Sequence, residues 1–208
     1  MPSQGTAEWQ GDLQTGHGTF VAGVIRCLAP ATELEIEGVL KHAGAIYESD
    51  IAAELNEAMS DLEEGRLPSL ISISAGTYTR NNAGMLAFEL LSQVYRFGLE
   101  DDGPLVIAAA GDENTDRPFY PAAYDWVVAV GALDEHMCTP KFTNYGRWVD
   151  VWAHGTKLVN AFPVGTYFVK EPGPTQGEQR DFTGLAQWSG TSFATPVVTG
   201  SIVAYMSE

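Results

Sequence analysis

The chain of 208 residues is 45% hydrophobic and 18% charged, a balance that suits one globular domain able to bury a sizeable core. Its net charge of -16, with only 11 Lys and Arg, excludes a phosphate-backbone partner such as nucleic acid, and no apolar run approaches the roughly 18 residues of a membrane span. Two cysteines, Cys27 and Cys138, make neither a disulfide framework nor a metal site.

Residues 1–16 show no hydrophobic period, read as a loop and do not resemble a secretory leader. Residues 17–28 read as a helix of small residues, suited to close packing and stopped by Ala29-Pro30. Residues 33–40 alternate Glu with Leu, Ile and Val, which predicts a strand. Residues 49–64 place Ile51, Leu55, Ala58 and Leu62 on one face of an acidic amphipathic helix. Residues 69–74 form a short apolar strand, and 83–97 carry Leu86, Leu90 and Val94 at helical spacing. Residues 104–110 and 126–132 are apolar strands separated by a polar loop at 112–123. Short strands at 149–152 and 158–161 precede a Gly/Pro/Gln-rich loop at 172–179, and a final helix covers 191–206. Helices alternating with apolar strands predict an α/β fold of three layers, a parallel sheet with helices on both faces. No repeat or linker divides the chain, so a single domain over 1–208 is expected. Ligands of such sheets gather beyond the carboxyl ends of the strands. Those ends read Ser74-Ala75-Gly76 and Ala109-Ala110-Gly111, small enough for a peptide backbone to come close.

The stretch Ser189-Gly190-Thr191-Ser192-Phe193-Ala194-Thr195-Pro196 leads straight into the last helix. Thr191 or Ser192 there suits a helix cap. The same position suits a nucleophile, because an oxyanion formed on an attacked carbonyl would face unpaired N–H groups and the positive end of the helix dipole. Pro196 falls early enough in the helix to be tolerated. A serine nucleophile needs a base, and of four histidines His17 stands out: glycines flank it in Gly16-His17-Gly18-Thr19, at a helix start. His42, His136 and His154 read as structural or solvated.

These residues carry a resemblance. His17-Gly18-Thr19-Phe20-Val21-Ala22-Gly23 resembles the histidine motif of the subtilisin-like serine peptidases, and Gly190-Thr191-Ser192-Phe193-Ala194-Thr195-Pro196 resembles their nucleophile motif. Between them Ile73-Ser74-Ala75-Gly76, Ala108-Ala109-Ala110-Gly111, Tyr120-Pro121-Ala122 and Phe142-Thr143-Asn144-Tyr145-Gly146 fall in the family's order. The resemblance implies a subtilisin-like fold and a serine endopeptidase working through an acyl-enzyme on Ser192, with His17 as general base. It implies that 74–76 and 109–111 flank an extended peptide substrate and wall the pocket for the residue before the cut. It favours secretion, with a cytoplasmic location as the alternative.

Three departures qualify what it implies. The family's triad aspartate lies on a strand well upstream of the histidine, whereas 16 residues precede His17 here. Asp12, in a Gly-flanked loop, does not match that motif. The aspartate-bearing strand is therefore expected to be absent, and a separate segment or chain to supply the carboxylate. In a subtilisin, loss of that residue costs about 3 × 10⁴ in turnover. Asp112 stands at the oxyanion position, where the family usually places an asparagine donor, and an ionised carboxylate only accepts. Finally, the helix from His17 runs directly to Ala29-Pro30 and 16 residues follow Ser192, so the chain is expected to be shortened at both ends, without the calcium loop of many members. No cofactor or metal is expected, and a solvated loop is preferred to a cation site at Asp101-Asp102 and Asp112-Glu113. The alternative reading is a non-catalytic pseudopeptidase that binds extended peptides.

Overall fold

Two strands that are apolar on both faces set the middle of the molecule. The computed structural model describes residues 10–38, 46–61, 67–98, 103–169 and 175–207. In it β3 (Leu105–Ala109) and β4 (Val127–Leu133) lie between β2 (Leu70–Ile73) and β5 (Val151–His154), all parallel, in the order β2-β3-β4-β5. Side chains alternate across a strand, so each central strand feeds two cores. Val106, Ala108, Val127 and Ala129 pack against Ala52 and Met59 of α2 (Glu48–Asp61) and Leu91 of α3 (Leu86–Tyr95). Ile107, Val130 and Ala132 face the other way, against Ala194, Val198 and Ile202 of α4 (Thr191–Met206). This is the expected three-layer arrangement. Ile107 and Val130 are fully buried, and each such side chain contributes about 1.5–3 kcal/mol.

The small residues of α1 (His17–Leu28) are explained by its neighbour α4. A Cβ added at Gly200 of α4 would lie 2.9 Å from Leu28 Cβ, so the helices approach as closely as a missing side chain permits. Pro196 is the sixth residue of α4, inside the helix rather than at its first position.

Several expectations are corrected. Residues 1–16 are not all loop: β1 (Gln10–Asp12) pairs in parallel with β7 (Gly165–Phe168), and a 3-10 turn over Leu13–Gly16 joins it to α1. Asp12 therefore ends a strand. Residues 33–38 form no strand; their alternation has no buried face to meet, and Ile36 is 57% exposed. The Gly/Pro/Gln-rich loop ends earlier than expected, since β8 (Gln179–Phe182) begins at Gln179 and pairs antiparallel with β7. β6 (Leu158–Ala161) pairs antiparallel with β9 (Leu185–Trp188), which the sequence did not suggest. These small sheets enclose a core of Phe20, Val24, Phe162, Tyr167, Ala186 and Phe193. In α3 the stripe Leu86, Leu90 and Val94 is exposed, while Phe88 and Leu91 are buried. The helix buries its i, i+3 pair toward the sheet and turns its i, i+4 row outward.

Candidate active site

The start of α4 is hung from the carboxyl ends of the sheet. Gly190 N–H donates to the carbonyl of Gly155, just beyond β5 (2.8 Å). Gly111 N–H, just beyond β3, donates to Thr191 Oγ1 (3.0 Å), and Thr191 N–H donates back to Asp112 Oδ1 (2.8 Å). Gly190 is the N-cap and makes no side-chain cap bond. Neither Thr191 nor Ser192 caps its own helix: the threonine hydroxyl holds the β3 loop, and the first helical N–H is taken by a carboxylate from that loop. Such a carboxylate suits the positive end of the helix.

Ser192 is tied to the end of β2 by two bonds. Ser74 Oγ donates to the Ser192 carbonyl (2.7 Å), and Ser192 Oγ donates to the Ser74 carbonyl (3.2 Å). Pro196 accounts for the first. In a helix the amide four residues on would satisfy the Ser192 carbonyl, and proline has no N–H. The interior proline thus leaves an acceptor that Ser74 fills.

His17 stands at the head of α1, beside α4. Its ring packs against both Trp188 (centroids 5.7 Å apart, edge-on) and Phe193 (5.3 Å), which touch each other. Burial among these rings lowers its pKa from 6.5 to about 4, so the imidazole is neutral at pH 7. Among the described residues no hydrogen bond reaches the ring, and the bond expected from Ser192 is not made because that hydroxyl is turned to Ser74. Unliganded sites often hold such pairs open. Asp12 ends β1, one 3-10 turn before His17; its side chain lies outside the described residues, as do His42, Asp101 and Asp102. His136 is exposed beside Glu135, and His154 ends β5. Cys27 and Cys138 are both free and exposed.

Asp112 faces solvent along much of its length, but its carboxyl group packs against the start of α4. That desolvation raises its pKa, against the opposing pull of the Thr191 N–H bond. Glu113 accepts from Tyr78 Oη (2.7 Å) and from Asp112 N–H (3.0 Å). Asn144 is a site residue that no local pattern marked with a role. Fully buried, it donates from Nδ2 to the Ala110 carbonyl (2.7 Å) and Tyr78 Oη (2.9 Å), and accepts at Oδ1 from Glu113 N–H (3.1 Å) and Thr115 N–H (3.3 Å). It shapes the whole loop after β3. Gly111 (φ +97°) lies against it, and a Cβ there would come within 2.4 Å of Asn144 Nδ2. The only forewarning was the place of Asn144 in Phe142-Thr143-Asn144-Tyr145-Gly146.

The site therefore gathers Ser192, His17, Ser74, Gly111 and Asp112 where two helix starts meet two strand ends. Among the described residues no cluster of His, Cys, Asp or Glu has the makings of a metal site, and no helix is long and apolar enough to cross a membrane.

Comparison with known proteins gives a consistent result. The subtilase (peptidase S8) family profile matches residues 3–208. A thermophilic serine proteinase of Bacillus sp. (strain AK1) is 32% identical over 206 residues, covering 92% of this chain and 43% of that protein. Thermitase of Thermoactinomyces vulgaris is 30% identical over 195 residues, covering 89% of this chain and 59% of that protein. The chain thus spans about half the length of these relatives. Among solved structures, a lanthipeptide protease superposes with a TM-score of 0.70 at 21% identity, over 97% of this chain and 68% of that one. A cold-adapted subtilisin-like serine proteinase gives 0.67 at 24% identity, over 96% and 67%. At those identities the structures share the fold.

Proposed function

The chain belongs to the subtilase family of serine peptidases, and on that premise we propose that it is an endopeptidase whose nucleophile is Ser192 and whose general base is His17. The observation that carries this reading is the meeting of two helix starts, one bearing His17 and the other Ser192, beside the strand ends 74–76 and 109–111. An extended peptide would add along those strand ends. Ser192 Oγ would attack the scissile carbonyl carbon while His17 takes its proton, and the oxyanion would form at the N-terminal turn of α4. His17 would return that proton to the departing amine, leaving an acyl group on Ser192 for water to remove through the same steps. The neutral imidazole supports the role of base. The group that orients it is not among the described side chains, and we assign that task to an aspartate from another segment or chain.

A second reading is favoured by a separate set of observations. Ser192 Oγ rests on a carbonyl, His17 has no hydrogen bond among the described residues, and a carboxylate occupies the start of α4. That arrangement suits a pseudopeptidase holding an extended peptide uncut. A fluorophosphonate probe on the full-length gene product separates the two. Labelling at Ser192 that disappears in His17→Ala supports the enzyme, and no labelling at Ser192 supports the binding module.

A further inference from the structure

We propose that the ring of Phe119 closes the crevice between strand ends 74–76 and 109–111, restricting the substrate residue on the acyl side of the cut to Gly, Ala or Ser. The inference rests on the peptidase reading above.

The two walls are a glycine each. A Cβ built on Gly76 would lie 2.4 Å from Phe119 Cε1, and one built on Gly111 would lie 3.1 Å from Phe119 Cδ1. One aromatic ring therefore touches both strand ends at once. Facing glycines ordinarily leave room for a ligand side chain. Here that room holds a side chain of the protein itself.

The ring is also held in place. Its neighbour Tyr120 exchanges two backbone hydrogen bonds with Thr77, at 2.8 and 2.9 Å, which fixes the segment against the end of β2. Tyr78 lies edge-on to Phe119 with ring centroids 5.0 Å apart. Tyr78 cannot yield easily, since its hydroxyl is bonded to Glu113 and Asn144 and the Arg117 guanidinium lies 4.8 Å from its ring centroid. Arg117 is in turn anchored to the Thr79 carbonyl (2.7 Å) and to Asn82 Oδ1 (3.2 Å). A bulky substrate side chain would have to displace a ring backed by this chain of contacts, whereas a hydrogen or a methyl group need not.

The test is kcat/KM on the full-length chain with peptides that differ only at that residue: Gly, Ala, Ser, Leu and Phe. The unmodified protein is expected to cut after Ala at least about tenfold faster than after Leu or Phe, and Phe119→Ala to raise Leu and Phe by about 10–100-fold relative to Ala. Phe119→Leu, which keeps a half-buried apolar side chain, should move the ranking in the same direction by less. Equal rates after Ala and Phe in the unmodified protein overturn the inference without any variant. So does an unchanged ranking in a folded Phe119 variant. Absence of cleavage and of Ser192 acylation across the whole series overturns the peptidase reading, and this inference with it.

Discussion

Asp112 and His17 give the proposed chemistry two opposing pH limbs. His17 works as a base only when unprotonated, above its lowered pKa of about 4. Asp112 is able to donate toward an oxyanion only when protonated, below its raised pKa; above it, the ionised carboxylate repels the developing charge. Activity should therefore rise with pH as His17 loses its proton and fall again as Asp112 ionises. Asp112→Asn removes the second limb. Its Oδ1 still accepts from Thr191 N–H, so the tie to α4 survives, and Nδ2 gains the donor. Where Asp112 is ionised, the substitution should raise turnover by up to about 10²–10³, the cost of losing such a donor in a subtilisin. A pH–rate profile of the two proteins decides the matter: coincident curves would mean that Asp112 plays no part in the oxyanion site.

The contact between α1 and α4 aligns the two helix starts. Gly200 lets them approach, and Gly200→Val would drive its methyl groups into Leu28. Overpacking of this kind costs about 1–3 kcal/mol. Urea unfolding should show that loss, and the rate of Ser192 labelling should fall with it, because a displaced α1 carries His17 away. How much of each element was legible depended on whether its partner was near in the chain and its face clean. β3 and β4 are apolar throughout, so buried central strands could be read directly. α4 could be read from its apolar run, and its motif marked Ser192. The strands β1, β7, β8 and β9 are only three or four residues long, too short for a period to show. They exist because other strands pair with them, β8 folding back on β7 and β1 reaching far along the chain, where Asp12 aligns with Phe168. The spacing of Leu86, Leu90 and Val94 in α3 is truly helical, but spacing does not say which stripe the sheet will choose. At the site, the residue types were readable and their bonds were not. That Ser192 leans on Ser74, and that Asn144 organises the loop after β3, follows from contacts across the fold that no local pattern encodes.

A parallel sheet lies between two helical layers, and all the proposed chemistry sits at one edge of it, beyond the carboxyl ends of the strands. The charge of -16, with Asp112 and Glu113 close to the serine, draws cationic segments toward this edge and turns anionic ones away. The Ser74 carbonyl at that edge already receives the Ser192 hydroxyl. A peptide laid along 74–76 would bring N–H groups to the same edge, and one of them would compete for that carbonyl. The incoming chain would then act as the key to a safety catch, freeing the hydroxyl at the moment a target carbonyl is in place and leaving the serine idle otherwise. Maximal inactivation rates, measured at saturation so that affinity drops out, would reveal this. A peptidyl fluorophosphonate should exceed a simple alkyl one, whereas equal limits would mean a hydroxyl that is free from the outset.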